Sequence, residues 1–306
     1  MPKSLFIPPP ANGRLLAHPP GPLKRVKPEV LFSIEALRRA WLKVRAAGGG
    51  PGVDGVTIDK FEAELEAQLV ALQTDLLAGR YRPQTVKRLL VPKPNGGLRP
   101  LALWTLRDKV VQRVVNDCIE PYFESQFLPC SFGYRPGLGV AQAVQMILGH
   151  RDRHRRWVAD IDIKDCFDTL DPELLLGLVR RQVKDPLILK LIQAWLEAKV
   201  FNALTGPQTK AGASQGAVIS PLLANIFLHQ VDLYLVQRGH QLVRYADDIV
   251  IFCRRKQEAG QALQACSDAL HQVKLSLNAH KSRVVHFDEG FKFIGVFFLR
   301  NEHFYL

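Results

Sequence analysis

The sequence predicts an α+β protein, in which helices cover one face of a mainly antiparallel sheet. Two short segments, 157–163 and 242–253, are apolar and rich in alternating or β-branched residues, which is typical of strands. Longer segments repeat apolar residues at helical spacing. From residue 157 onward the predicted elements follow the order β-α-α-α-β-β-α-β-β, and this order supports the α+β class.

The sequence of the N-terminal region predicts an arm followed by two helices. Residues 1–28 are rich in proline and basic residues and show little periodicity, so we expect an extended or disordered arm. Residues 31–47 show helical periodicity and end at a Gly-Gly-Gly-Pro-Gly stop. A second helix is predicted over 57–79, where Thr57 supplies an N-cap and Gly79 a C-terminal stop.

The next region predicts a hairpin and two more helices. Residues 85–103 contain two apolar runs separated by Pro-Asn-Gly-Gly, which predicts a β-hairpin. Residues 107–125 predict a helix that ends near Pro121. Residues 139–156 predict a helix with a basic tail.

The C-terminal half begins with the strand at 157–163. The later segments are helices at 172–181 and 186–198, a Gly-rich turn at 210–220, a helix at 221–239, a hairpin at 242–253, a helix at 257–275, and strands at 282–287 and 291–299.

Composition indicates a polyanionic partner. The 306 residues include 41 Lys and Arg against 29 Asp and Glu, a formal net charge of +12. The five cysteines are scattered and form no Cys-x-x-Cys pair, which argues against a disulfide framework and a zinc site. No apolar run reaches the roughly 20 residues of a membrane span, and no signal peptide is recognisable. We therefore expect a cytoplasmic protein that does not contact membranes.

Acidic residues cluster where two strands are predicted to meet. Asp247 and Asp248 lie side by side in the predicted hairpin "LVRYADDIVIFC", and in "WVADIDI" Asp160 and Asp162 face the same side of a strand. Adjacent carboxylates repel one another unless a cation lies between them, and Mg²⁺ prefers oxygen ligands. The pattern predicts a two-metal site for phosphoryl transfer. The alternative interpretation is that these acids are ordinary turn and edge residues.

A series of ordered motifs resembles bacterial group II intron-type reverse transcriptases over residues 30–298. The motifs are "GVDGVT" (52–57), "LLVPKPNGGLRPLALWTLRDKVVQ" (89–112), "SFGYRPG" (131–137), "DIKDCFDTLD" (162–171), "SQGAVISPLLANIFL" (214–228), "YADD" (245–248), "LNAHKSRVVHF" (277–287) and "FKFIGVFF" (291–298). The resemblance implies a right-hand polymerase with fingers and palm, and the activity of an RNA-directed DNA polymerase.

The resemblance also implies roles for individual residues at the metal site. Asp162, Asp247 and Asp248 would be the catalytic carboxylates that hold two Mg²⁺ ions, with Mn²⁺ as a possible substitute. Asp162 is preferred to Asp160 because the aromatic residue of the family motif falls five positions later, at Phe167. Phe167 would lie under the sugar and exclude a 2′-hydroxyl.

Other residues would contact substrates. The dNTP contacts, besides Phe167, would be Lys93, Arg99, Gln215, Gly216 and Lys281. Lysine supplies a point charge for phosphate and arginine a bidentate fork. The candidate RNA contacts are Arg135 and the arginines of the basic helix tail, Arg153, Arg155 and Arg156.

The resemblance implies fingers at 29–156 and a palm at 157–306, with helices between 172 and 213 contacting the fingers. Few residues follow "FKFIGVFF", so we expect a thumb that is absent or truncated. The expected partners are an RNA template, a DNA or RNA primer and dNTPs, together with a partner chain or RNA that completes the thumb. The biological role is open among mobile-element copying, spacer acquisition in a CRISPR-associated setting, antiviral defence and repair.

Three other functions are alternatives to this activity. A maturase-like protein would bind and stabilise folded RNA without catalysis, but the intact acids count against it. An RNA-dependent RNA polymerase usually carries Gly-Asp-Asp in this hairpin, whereas Tyr245 and Ala246 precede the acids here. A nucleotide cyclase would lack the finger hairpin and the "SQG" segment.

Overall fold

The computed structural model describes residues 20–92, 98–202, 206–209 and 216–306, apart from the side chains of residues 99, 202 and 206–209. Within these residues helices and mainly antiparallel strands alternate, so the predicted α+β class is confirmed. The helices are α1 (Pro28–Leu31), α2 (Ile34–Ala47), α3 (Ile58–Ala63), α4 (Leu65–Leu77), α5 (Leu106–Glu124), α6 (Val140–Asp152), α7 (Cys166–Thr169), α8 (Pro172–Gln182), α9 (Pro186–Leu196), α10 (Ser220–Gln237) and α11 (Lys256–Gln272).

The strands form three sheets. They are β1 (Val86–Pro92), β2 (Leu98–Leu103), β3 (Trp157–Asp162), β4 (Lys199–Asn202), β5 (Gly206–Thr209), β6 (Gln241–Tyr245), β7 (Asp248–Cys253), β8 (Arg283–His286), β9 (Phe291–Phe293), β10 (Val296–Leu299) and β11 (Glu302–Tyr305). The sheet orders are β2-β1-β4-β5, β6-β7-β3-β8 and β11-β10-β9. Every pairing is antiparallel except that of β1 with β4.

The described residues divide into two compact units. The first unit contains residues 124–166 and 224–306, and the second unit contains residues 20–123 and 167–223. These boundaries differ from the expected division into 29–156 and 157–306. Residues 140–152 explain part of the difference, because α6 contacts β6 and its apolar side chains join the core of the first unit.

The core of the first unit lies around the sheet β6-β7-β3-β8. Helix α11 contacts β3, β7 and β8, as expected for a helix that covers an antiparallel sheet. Phe287, Phe291 and Phe298 are buried together, with ring centroids 5.1 Å apart for the pairs Phe287–Phe291 and Phe291–Phe298. This aromatic cluster attaches the small sheet β9–β11 to the core.

The second unit begins with the end of the predicted arm. Residues 1–19 lie outside the described residues. The chain from Pro20 to Lys27 is extended, yet it is not free: Leu23 is buried and forms a parallel bridge with Val183, and the Val26 amide donates to the Asp185 carboxylate at 2.8 Å. This part of the arm therefore packs on the loop between α8 and α9.

Local packing changes several predicted elements. The helix predicted over 57–79 begins after Thr57, whose hydroxyl accepts from the Lys60 amide, but it breaks at Glu64 into α3 and α4. Helix α5 continues past Pro121, because the buried Ile119 and Phe123 hold its last turn although proline removes one helical hydrogen bond.

The strand predicted over 291–299 is in fact the hairpin β9–β10. Its turn contains Ile294 and Gly295, both with positive φ (46° and 74°). The strands β4, β5 and β11 were not predicted at all. In the described ranges, no helix combines the length and apolar character needed to cross a lipid bilayer.

Candidate active site

The "YADD" segment forms a two-residue turn between β6 and β7. Tyr245 pairs with Asp248 across the hairpin, so Ala246 and Asp247 make the turn and Asp248 is the first residue of β7. Ala246 has φ 57°, a left-handed conformation that non-glycine residues rarely adopt. The turn therefore places two consecutive carboxylates, those of Asp247 and Asp248, at one end of the sheet.

Asp162 lies at the same end. Strand β3 pairs with β7 in a register that sets Asp162 directly opposite Asp248. The structure therefore places Asp162, Asp247 and Asp248 at one end of the same sheet, although Asp162 precedes Asp247 by 85 residues in the sequence. Asp160 precedes Asp162 by two residues on β3, and its carboxylate is 3.5 Å from the Nε atom of Arg283.

Burial and the neighbouring acids together raise the pKa of Asp248. Loss of water around the carboxyl raises the pKa of Asp248 to about 7, and Asp247, Asp162 and Asp160 raise it in the same direction, while Lys281 lowers it. Burial also raises the pKa of Asp160, although Arg283 opposes the shift. Asp248 nevertheless keeps an exposed surface. A cation could therefore reach the acids and would relieve their repulsion.

A short segment, Ser276–Ser282, secures Asp162 from the other side. The Asn278 amide donates to the Asp162 carbonyl at 2.8 Å, and the Ser282 hydroxyl accepts from the Asp162 amide at 3.2 Å. The Lys281 Nζ atom lies 3.2 Å from an Asp162 carboxylate oxygen, and its side chain is 64% exposed. The sequence pointed to Lys281 through the family motif, but it gave no signal for the roles of Asn278 and Ser282.

A buried arginine supports the hairpin from inside. Arg244, on β6, is fully buried and its guanidinium donates to both carboxylate oxygens of Asp232 on α10, at 2.7–3.0 Å. It also donates to the Asn225 side chain at 2.8 Å and to the Ala246 carbonyl in the turn at 3.0 Å. Burial lowers the pKa of Arg244, but the Asp232 carboxylate raises it by more, so the guanidinium stays charged. Sequence analysis missed this network.

The "SFGYRPG" segment packs against the same hairpin. The Phe132 amide donates to the Arg244 carbonyl at 2.9 Å, and the Gly133 carbonyl accepts from the Asn225 side chain at 2.8 Å. A Cβ atom at Gly133 would lie 2.4 Å from the Ala246 nitrogen, so only glycine allows this approach. This close packing therefore fixes the position of the turn that contains Asp247.

The predicted RNA contacts have unequal surroundings. The Arg135 side chain is only 8% exposed, and its guanidinium binds Glu124 and the carbonyls of Leu128 and Ser131. Arg156 binds Asp288 at 2.6 Å and the Asn301 side chain at 3.0 Å. These two arginines have structural partners that account for them without RNA.

Arg153 and Arg155 differ from them. Arg153 is exposed, and among the described residues its side chain donates a hydrogen bond only to the Gly149 carbonyl, at 3.2 Å. Arg155 makes no ion pair with any acid in the described part of the chain, and its side chain lines a surface cavity. These two remain available for an external anion.

Of the predicted dNTP contacts other than Lys281, Arg99, Phe167 and Gly216 lie in the second unit. Lys93 and Gln215 lie outside the described residues. Arg99 is in β2 opposite Val91, and its side chain is not described. Phe167 is half-buried in the short helix α7.

Gly216 has a clear steric requirement. Its φ is 111°, and a Cβ atom there would lie 2.4 Å from the Ala102 carbonyl oxygen on β2. The strand β2 therefore approaches the backbone closely at Gly216, where a side chain would not fit.

The donor chemistry of the three acids suits a hard divalent cation. All their donors are carboxylate oxygens, the ligands that Mg²⁺ prefers. In the ranges that the structure describes, no three His, Cys, Asp or Glu side chains are already gathered as a ready-made metal cluster. The acids share one end of the sheet, and Asp162 is held by Lys281.

The comparison with protein families decides the classification. The reverse transcriptase (RNA-dependent DNA polymerase) family matches residues 91–298, which include all three acids. The chain belongs to this family. Its members are nucleotidyltransferases and generally use divalent metal ions.

Curated relatives support the same assignment. Protein YkfC of Escherichia coli K12 is 33% identical over 284 residues, which cover 80% of this chain and 74% of that protein. The group II intron-encoded protein LtrA of Lactococcus lactis subsp. cremoris is 33% identical over 189 residues, which cover 61% of this chain and 31% of LtrA. The resemblance to group II intron-type reverse transcriptases is confirmed. The matched region spans about a third of LtrA.

A solved structure supports the fold alone. Apo telomerase from Candida tropicalis, truncated from its C-terminal domain, matches with a TM-score of 0.52 and 14% identity. The match covers 73% of this chain and 55% of that chain. The predicted polymerase architecture with fingers and palm agrees with this similarity.

Proposed function

We propose that this chain is an RNA-directed DNA polymerase that adds dNTPs to a primer 3′-hydroxyl on an RNA template. The observation that carries the proposal is the convergence of Asp162, Asp247 and Asp248 at one end of an antiparallel sheet, in a chain of the reverse transcriptase family. The fingers would correspond mainly to the second unit and the palm to the first unit.

The three carboxylates would hold two Mg²⁺ ions, with Mn²⁺ as an expected substitute. When bound, the metal ions would lower the pKa of the attacking hydroxyl and stabilise charge on the phosphate oxygens. The chain's own contribution is to fix the carboxylates: β3 and β7 set Asp162 beside Asp248, and Arg244 and Gly133 hold the turn that contains Asp247. This preorganisation holds the negative charges of the carboxylates in the positions where they would bind the metal ions.

The remaining substrate contacts follow from the family motifs. Lys93 and Arg99 would bind the triphosphate, Gln215 and Gly216 would approach the nucleotide, and Phe167 would exclude a 2′-hydroxyl. Lys281 would neutralise the departing pyrophosphate. Its exposed ammonium group, 3.2 Å from Asp162, is near the acids and accessible to such an anion.

The partners would be an RNA template and a DNA or RNA primer. A partner chain or RNA that completes the thumb would strengthen the grip on the duplex. The net charge of +12 favours binding of the phosphate backbone.

Primer extension on a defined RNA template tests the proposal. We expect the chain to extend an annealed DNA primer with dNTPs and Mg²⁺, and to extend it far less with rNTPs. RNA binding measured in the same buffer separates the alternatives. RNA that is bound but never copied, with Mg²⁺ or Mn²⁺, would contradict the polymerase assignment and favour the maturase-like RNA-binding function.

A further inference from the structure

The end of the sheet opposite the acids carries two adjoining cavities. This end is formed by the start of β6, at Gln241, and the end of β7, at Cys253. Cys253 is five residues from Asp248 along β7, which is about 17 Å for an extended strand. Both cavities are built entirely from the first unit, and both are lined by His240 and Gln241.

The first cavity is basic. It has a volume of about 290 Å³, and Arg155, Arg238 and Arg254 line it together with Glu258. None of the three guanidinium groups forms an ion pair within the described ranges. Arg238 stacks on the Tyr234 ring, 3.4 Å from its centroid, and so keeps its charge near the cavity.

The single acid that lines this cavity, Glu258, already has hydrogen-bond partners. One Glu258 oxygen accepts from the Arg254 and Arg255 amides, and the other accepts from the Arg255 side chain at 2.8 Å. The three unpaired arginines therefore outweigh it. Unpaired guanidinium groups in a concave site are suited to phosphate oxygens, which they bind in a bidentate geometry.

The second cavity is mainly apolar. Its volume is about 430 Å³, and its lining includes Met146, Val236, Leu242 and His150, with Arg153 also in the lining. A surface of this kind accommodates a flat ring, provided that a few polar groups reach the ring edge.

His150 supplies such a polar group. It is 93% buried, since only 7% of it is exposed, and its ring stacks on Phe252 with centroids 4.8 Å apart. Its Nδ1 atom has no hydrogen-bond partner within the described part of the chain. Burial lowers the pKa of His150 to about 4, so the ring is neutral at pH 7. The neutral His150 ring therefore lines the cavity without placing a charge beside a bound base.

We propose that these adjoining cavities form a nucleotide-binding site, with the phosphate at Arg155, Arg238 and Arg254 and the base in the apolar cavity beside His150. The site lies away from the acids and does not depend on polymerase activity. It also gives Arg155, an expected RNA contact, a specific ligand. The nucleotide is either free or an unpaired unit of a single strand, because both present the same phosphate and base.

Binding measurements in EDTA, without primer or dNTPs, test this site on the full chain. The probes are adenosine 5′-monophosphate, followed by calorimetry, and fluorescein-labelled decameric oligoadenylate, followed by polarisation. We expect Arg254→Ala to weaken binding about tenfold, as loss of a charge-assisted contact implies. Lys292→Ala is the matched control, because it removes one positive charge from an exposed residue of the first unit that lines neither cavity.

Met146→Trp fills the apolar cavity without changing charge and should weaken binding by a similar factor. Circular dichroism melting verifies that each variant folds. Weakened binding of both probes would assign the site to free nucleotides as well as strands; an effect on oligoadenylate alone would assign it to a nucleotide within a strand. Equal losses for Arg254→Ala and Lys292→Ala, with no effect of Met146→Trp, would reduce the effect to general electrostatics and overturn the proposal.

Discussion

The buried pair of Arg244 and Asp232 should dominate the stability of the β6–β7 hairpin. Both side chains are 0% exposed, and three hydrogen bonds of 2.7–3.0 Å join them. Removing one partner of a buried pair leaves an uncompensated charge, which costs about 3–5 kcal/mol. Because a whole domain is stable by only about 5–15 kcal/mol, Asp232→Ala should lose a large part of that margin.

Amide hydrogen exchange of peptides that cover β6 and β7 measures this cost locally, which suits a chain with two compact units. Asp288→Ala is the matched control: it breaks the exposed pair with Arg156, so it should change the exchange rates far less, because solvent screens exposed ion pairs. A loss for Asp232→Ala no larger than that of the control would refute the reasoning.

The double variant Asp232→Leu/Arg244→Met separates stability from geometry. Replacing both charges by apolar groups should restore most of the lost stability, since buried pairs gain little over hydrophobic residues. It should not restore nucleotide addition, because the Ala246 carbonyl and the Asn225 side chain still lack their donor. Full activity in a stable double variant would show that Arg244 does not position the turn.

Three further predictions concern substrate choice, charge and pH. Phe167→Ala should admit rNTPs, measured as the ratio of dNTP to rNTP incorporation; an unchanged ratio would remove its proposed role. Nucleic-acid affinity should fall steeply between 50 and 200 mM salt because bound counterions are released, and a flat response in a salt titration would contradict phosphate binding. The pKa of Asp248, about 7 when folded, exceeds the value of about 3.9 in unfolded chains. The free energy of unfolding of the metal-free protein should therefore fall as pH rises from about 4 to 7. Urea titrations across this pH range should find a smaller fall for Asp248→Asn than for the native chain. An equal dependence of the unfolding free energy on pH in the two proteins would contradict the raised pKa of Asp248.

The grouping of the acids could be predicted because it depends on local patterns. Alternation along 157–163 placed Asp160 and Asp162 on one face, and the apolar runs around Asp247 and Asp248 predicted the hairpin. The family motif then distinguished Asp162 from Asp160, and the β3–β7 register sets Asp162 opposite Asp248.

The supporting contacts could not be predicted in the same way. Asn278 and Ser282 bind the backbone of Asp162 across more than 100 residues, and nothing in their local sequence marks them. Arg244 is a charged residue in an apolar strand, so its burial depends on Asp232 from a different helix. Such polar pairings are tertiary and leave no periodic signal.

The most direct test of the central claim is the rate of single-nucleotide addition to a primer on an RNA template, compared between the native chain, Asp247→Asn and Asp288→Asn. Both substitutions change one aspartate in the first unit, but Asp288 is an exposed partner of Arg156. We predict at least roughly a 100-fold loss for Asp247→Asn, since even changes around a metal site cost about 10–100-fold, with RNA binding retained. We predict no loss for Asp288→Asn. Equal rates for the two variants would contradict the assignment of Asp247 to the active site.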